Sequence, residues 1–220
     1  MEMLKAVLFD MDGTLVDSEI FHKDCWNMLL MPMGFQITEE EFLEEYAGII
    51  GPITARNIVQ NYNLKIDPDQ FLAEKEKIAL SHIRKLPINL MHFVKESIQY
   101  FKSKNLKLAV VTGSPAVTAI PFLESVGISQ NFETIVTRSD VSNSKPHPDS
   151  YQLAMERLRL SPQDCIAIED TQNGVNSAST AGVTCLAVRD VPFGNHDLGK
   201  AEKEFKNLEE LVSWVEVTYF

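Results

Sequence analysis

The sequence predicts an α/β fold: a doubly wound parallel sheet with an all-helical unit inserted after its first strand. Three observations point to it. Short, continuous apolar runs recur along the chain, the pattern of strands buried on both faces. In the second half of the chain they alternate with helical segments, which implies parallel strands joined by crossover helices. From about Ser18 to Leu86 the patterns are helical, and no segment reads as a strand.

The first apolar run is Ala6–Phe9, followed by Leu108–Val111, Thr134–Val136, Cys165–Ile168 and Thr184–Val188. Pro115–Val126, Asp149–Leu160 and Thr171–Ala181 read as the helices between them, and Asn207–Val215 as a closing helix. Pro121 predicts a kink in the first of these, because proline lacks an N–H and its ring crowds the carbonyl four residues back. Within the insert, Thr38-Glu39-Glu40-Glu41 is a capping box ahead of Phe42 and Leu43. Asp67-Pro68 couples a cap residue to proline at the first helical position and opens a helix towards Arg84. Loops fall at Met33-Gly34, Gly48–Pro52 and Tyr62–Asp67. The chain therefore divides into a Rossmann-like core, 1–17 and 87–220, and a helical cap, 18–86, with linkers at Val16–Glu19 and Leu86–Leu90.

Composition sets outer bounds. With 220 residues, 45% of them apolar, the chain can bury a core and a small accessory unit. Its longer apolar runs, such as Met28–Met33, are broken by Pro32 and fall short of the roughly 20 residues of a membrane span. The start, Met1-Glu2-Met3-Leu4-Lys5, does not resemble a secretory signal. Cys25, Cys165 and Cys185 form no CxxC pair, so neither a zinc site nor a redox motif is expected. Unpaired thiols in apolar runs suit a reducing cytoplasm. The formal charge of −11 repels nucleic-acid backbones and gives no support to membrane binding. A small phosphorylated metabolite can still bind where a metal and a few cations reverse the sign locally.

Four strand ends carry the chemistry. Asp10-Met11-Asp12-Gly13-Thr14 follows the first run directly, and parallel sheets bind ligands outside the carboxyl ends of their strands. Two carboxylates at i and i+2 can share one site there, although an Asp- and Gly-rich turn would look the same. Thr112-Gly113-Ser114 follows Val111 just before a helix, offering hydroxyls and backbone N–H groups to a phosphate. Glu169-Asp170 follows Ile168; in isolation such a pair also caps helices. In Lys145-Pro146-His147-Pro148-Asp149 the prolines push the residues before them towards extended backbone and brace Lys145 on a stiff segment. A lone lysine is by default solvated, but one braced near several acids is a better candidate for binding substrate and balancing charge.

A DxD, a Thr, a Lys and an Asp at four junctions, in that order, resemble the four motifs of the haloacid dehalogenase superfamily. Asp10-Met11-Asp12-Gly13-Thr14 matches its DxDGT, Lys145-Pro146-His147-Pro148-Asp149 its KPxPD, and Glu169–Gly174 its acidic fourth motif. The long interval after the first motif is where family members carry a helical cap. The pattern is similar to the phosphatase branch that includes β-phosphoglucomutase and sugar-phosphate phosphatases. The resemblance implies that Asp10 attacks phosphorus and forms an aspartyl-phosphate. Asp12 would protonate the leaving oxygen and then activate water. It further implies Mg²⁺ held by the carboxylates of Asp10 and Asp170 and the backbone carbonyl of Asp12, with Glu169 behind them or as an alternative ligand. Thr112, the Gly113 amide, Ser114 and Lys145 would bind the phosphoryl group. Glu19, His22, Ile50 and Arg56 would contact the substrate from the cap side, unless His22 is a packed histidine beside Trp26.

Two rivals remain at this level. A mutase would carry cations in the cap loop, yet Ala47-Gly48-Ile49-Ile50-Gly51 has no Lys or Arg, with Arg56 a little further on. A silent binding protein on the same fold would be expected to lose Asp10, Asp12 or Lys145, and all three are present. The expectation is therefore a monomeric, Mg²⁺-dependent phosphohydrolase.

Overall fold

The computed structural model describes residues 4–83, 85, 88–189 and 198–220. The approach of the fourth helix to Arg84 and the linker residues Leu86 and Pro87 lie outside the described residues. The strands are β1 Ala6–Phe9, β2 Val16–Asp17, β3 Asn89–Leu90, β4 Lys107–Val111, β5 Thr134–Val136, β6 Cys165–Glu169, β7 Thr184–Val188 and β8 Lys203–Phe205. Six of these, all parallel, form one sheet in the order β5–β4–β1–β6–β7–β8. β1 lies between β4 and β6, with Phe9 opposite Val110 on one side and Ile168 on the other. The chain winds outward from β1 in both directions, so its carboxyl end is a switch point of the topology.

Residue size decides which helices cover which face. On one face Val7, Phe9, Val110, Ile168 and Leu186 pack against helices α5 Val94–Ser103, α6 Ala116–Ser125 and α9 Leu208–Tyr219. On the other, Ala6, Ala109, Ala167 and Ala187 leave room for α7 Asp149–Leu158 and α8 Gln172–Thr180 to approach closely. Leu8, Val111 and Val136 lie on this second face as well, and the central strands β1 and β6 are buried on both faces. Burying one Phe- or Leu-sized side chain contributes about 1.5–3 kcal/mol.

Between β2 and β3 the described chain is helical: α1 Glu19–Leu30, α2 Glu39–Glu45, α3 Gly51–Asn61 and α4 Pro68–His82. These helices share their own cluster, which includes Trp26, Leu30, Phe42, Tyr46, Ile58 and Phe71. Trp26 and Phe71 stack with ring centroids 5.3 Å apart. Phe21, Cys25, Ala79 and Ile83 belong instead to the main core, and Phe21 meets Phe122 of α6 edge-on at 4.9 Å. The caps fall where the sequence placed them. Thr38 accepts from the Glu41 N–H at the start of α2, and Asp67 accepts from the N–H groups of Asp69 and Gln70 at the start of α4.

Several elements differ from expectation. Val16–Asp17 is not free linker but pairs antiparallel with Asn89–Leu90, tying the two crossings into a small ribbon. Gly51 and Pro52 begin α3 instead of closing the loop before it, since proline fits the first turn of a helix. Pro121 lies inside α6, as the sequence has it. α5 and β8 carried no sequence assignment. The three cysteines are unpaired and buried. No helix among the described residues is long and apolar enough to cross a membrane.

Candidate active site

Backbone hydrogen bonds carry the sheet straight into the site. The Asp10 N–H donates to the Ile168 carbonyl at 2.9 Å and the Thr112 N–H to the Val136 carbonyl at 2.9 Å, so both residues extend the ladder by one step. After Asp10 the chain turns sharply, with the Leu15 and Val16 N–H groups both donating to the Met11 carbonyl. Gly13 sits at φ +80°, where a side chain would be strained. A Cβ there would also lie 2.1 Å from Asp170 Oδ2. Glycine is therefore required by the approach of the fourth motif to the first.

Lys145 ties the strand ends together. Its Nζ donates to Asp10 Oδ1 at 2.5 Å, to the Val111 carbonyl at 2.7 Å and to Glu169 Oε1 at 2.5 Å. Its side chain is 7% exposed. Carboxylate oxygens of Asp10, Glu169 and Asp170 lie within 4.8 Å of one another. Thr14 Oγ1 donates to Asp170 Oδ1 at 3.3 Å. Asp12 points to a different set of donors: Ser18 Oγ at 2.6 Å on one oxygen, Ser114 Oγ at 2.8 Å and Thr112 Oγ1 at 3.2 Å on the other. The Ser114 N–H in turn donates to Thr112 Oγ1. The two aspartates of the first motif thus have separate environments, one in the acidic cluster and one among hydroxyls.

Charge balance in the cluster is unfavourable without more cation. Burial opposes the Lys145 ammonium, but Asp10 and Glu169 outweigh it and hold the lysine above its ordinary range. Burial, with Glu169 and Asp12, pushes Asp10 well above the usual carboxylate range against the pull of Lys145. Asp170 is raised by burial and then by Asp10 and Glu169. Two carboxylates about 4 Å apart repel by roughly 4 kcal/mol at an effective dielectric of 20. One ammonium does not neutralise three. A set of hard carboxylate oxygens this close together fits Mg²⁺.

The cap-side residues are more dispersed. Glu19, at the start of α1, accepts from the Gly48 N–H at 3.1 Å and so joins α1 to the loop before α3. Burial, only partly offset by that bond, raises its carboxyl to about 7. His22 Nδ1 lies 3.0 Å from Lys75 Nζ. An ammonium only donates, so Nδ1 accepts and the imidazole proton sits on Nε2. Burial and the Lys75 charge hold His22 neutral, its pKa well below the usual value. Ile50 caps α3 and is 49% exposed, and Arg56 is exposed on the same helix. No hydrogen bond or ion pair links Arg56 to the acidic cluster among the described residues.

Sequence reasoning missed Lys75, Tyr151 and the role of Ser18. Glu74-Lys75-Glu76-Lys77 looks like a solvated charge run. Yet Phe71, Lys75 and Ala79 are the buried residues of α4 at successive spacings of four, so Lys75 occupies the apolar stripe. That spacing was the available signal.

A doubly wound sheet with a lysine-braced acidic cluster at its switch point, beneath a helical insert, defines a hydrolase of the haloacid dehalogenase type. The profile of the haloacid dehalogenase-like hydrolases matches residues 7–188, and the chain belongs to that family. It is 27% identical over 188 residues to a phosphorylated carbohydrates phosphatase of Thermotoga maritima, covering 82% of each chain. With a fructose-1-phosphate phosphatase of Escherichia coli it shares 28% over 194 residues, covering 86% of this chain and 98% of that one. A crystal structure of β-phosphoglucomutase from Clostridium difficile superposes with a TM-score of 0.78 at 26% identity, covering 99% of this chain and 97% of that one.

Proposed function

We propose that this protein is a Mg²⁺-dependent phosphohydrolase of small phosphorylated metabolites, sugar phosphates above all, working through an aspartyl-phosphate on Asp10. The observation that carries the reading is the convergence of Asp10, Lys145, Glu169 and Asp170, with Asp12 held apart from them on Thr112 and Ser114. Asp10 is the nucleophile, at the strand end where substrate arrives. Asp12, hydrogen-bonded by three hydroxyls, is the acid that protonates the leaving oxygen and then the base that activates water. Separate environments let two neighbouring aspartates serve different tasks. Lys145, Thr112, the Gly113 amide and Ser114 bind the phosphoryl oxygens.

The carboxylates of Asp10 and Asp170, with the backbone carbonyl of Asp12, would hold Mg²⁺, and Glu169 stands directly behind them. When bound, the metal supplies positive charge against the phosphate and the clustered acids. Residues 18–86 form the cap over this site and 1–17 with 87–220 the catalytic core. Glu19, His22, Ile50 and Arg56 meet the leaving group from the cap side. A monomer in a reducing cytoplasm fits the unpaired cysteines and a cap that must open and close.

Hydrolysis is favoured over phosphomutase chemistry by the cap loop, where Ala47, Ile49 and Ile50 stand and no cation is offered to a second phosphate. A panel of sugar phosphates, nucleotides and glycolytic acids, assayed for phosphate release with Mg²⁺, tests the reading. Release from sugar monophosphates at rates above about 1 s⁻¹ is expected. Absence of release from every member of the panel contradicts it.

A further inference from the structure

We infer that Tyr151 is a positioning residue of this site, acting through Glu169 on Lys145; the inference rests on the phosphohydrolase reading above. An ammonium has three N–H donors. Those of Lys145 go to Asp10, to the Val111 carbonyl and to Glu169. The Val111 contact is part of a rigid strand, whereas Asp10 is the group that reacts, so its contact must change during turnover. Glu169 is then the one side-chain anchor of the lysine that does not take part in bond making.

A glutamate has freedom of its own, and the structure removes it. The Tyr151 hydroxyl donates to the same Oε1 that Lys145 uses, at 2.6 Å. Thr171 Oγ1 donates to Oε2 at the longer distance of 3.3 Å. Gly174 makes the space, since a Cβ there would lie 1.8 Å from Oε2. Tyr151 and Glu169 are both 0% exposed. Tyr151 also presents its ring to the ammonium, 5.3 Å from centroid to Nζ. Phenylalanine would fill the same volume and face the same cation. The hydroxyl adds one thing, the bond to Glu169, and a buried phenol is costly unless it has such a partner. Tyr151 lies in the first turn of α7, six residues past Lys145, so one segment delivers both the lysine and the group that steadies its anchor.

The test compares wild type, Tyr151→Phe, Glu169→Gln and the double variant with Mg²⁺ and the best sugar phosphate of the panel. A hydrogen bond to a charged group sets the scale, so Tyr151→Phe should lower kcat about tenfold with KM within about twofold. The double variant should be no slower than Glu169→Gln alone, because both changes break one linkage. Thermal unfolding of Tyr151→Phe should stay close to wild type. A kcat within twofold of wild type, additive effects, or a kcat loss matched by collapse of the unfolding midpoint each overturns the inference and leaves the phosphohydrolase reading standing. A wild-type protein that releases no phosphate removes both.

Discussion

Asp10→Asn is expected to abolish turnover and leave the fold in place. The side chains have the same shape, and an amide oxygen can still accept from Lys145, so the sheet end and its lysine stay where they are. What disappears is the nucleophile. Loss of a group that forms the covalent intermediate should lower kcat by at least about a thousandfold. The same change should not destabilise the metal-free protein. Burial and the neighbouring carboxylates raise Asp10 in the folded state, so the folded chain binds that proton more tightly than the unfolded chain. Stability contributed by the protonated form is therefore lost as pH rises from the ordinary carboxylate range through the raised folded value, and asparagine escapes that loss. Unfolding at neutral pH in chelator should show a midpoint at or above that of wild type. A variant keeping more than a few per cent of the wild-type rate would remove Asp10 from its role.

Removal of divalent metal should also have a large effect. Three carboxylates within 4.8 Å of one another with a single ammonium between them form a site with surplus negative charge, into which a phosphate must still enter. Chelation should cut phosphate release at least about a hundredfold, and Mg²⁺ should restore it. Because the cluster exists only in the folded chain, Mg²⁺ should also raise the unfolding midpoint, by an amount that grows with its concentration. At a hundred times the dissociation constant the stabilisation is about 2.7 kcal/mol. Full turnover in a metal-free preparation contradicts the assignment.

What could be read from the sequence follows from how local each signal is. The first motif was legible because its glycine is forced twice, by a positive φ and by the carboxylate of Asp170 against it. β1, β4, β6 and β7 were legible because all or all but one of their residues are buried, which makes the apolar run continuous. β8 escaped because two of its three residues are exposed and polar, and β2 and β3 because each is two residues long. α5 escaped because its cap position is Phe93, in left-handed backbone with no capping side chain. Lys75 was hidden among charges of both signs. Tyr151 could not be assigned because its significance lies in a glutamate eighteen positions away that only the fold brings to it. The helical insert was visible as helices, but where its side chains meet a substrate depends on tertiary placement that spacing does not encode.

The assay that bears most directly on the central claim incubates the protein with Mg²⁺, β-glucose 1-phosphate and a trace of the 1,6-bisphosphate, following inorganic phosphate and glucose 6-phosphate together. A lost charge-assisted phosphate contact is worth about 1.5–3 kcal/mol, or roughly ten- to a hundredfold in the choice between reorientation and escape of a bisphosphorylated intermediate. With Ala47 and Ile50 in the cap loop, water should intercept the aspartyl-phosphate, and phosphate should accumulate faster than glucose 6-phosphate. Glucose 6-phosphate outpacing phosphate would contradict the hydrolase assignment and place Arg56 in the role of holding a second phosphate.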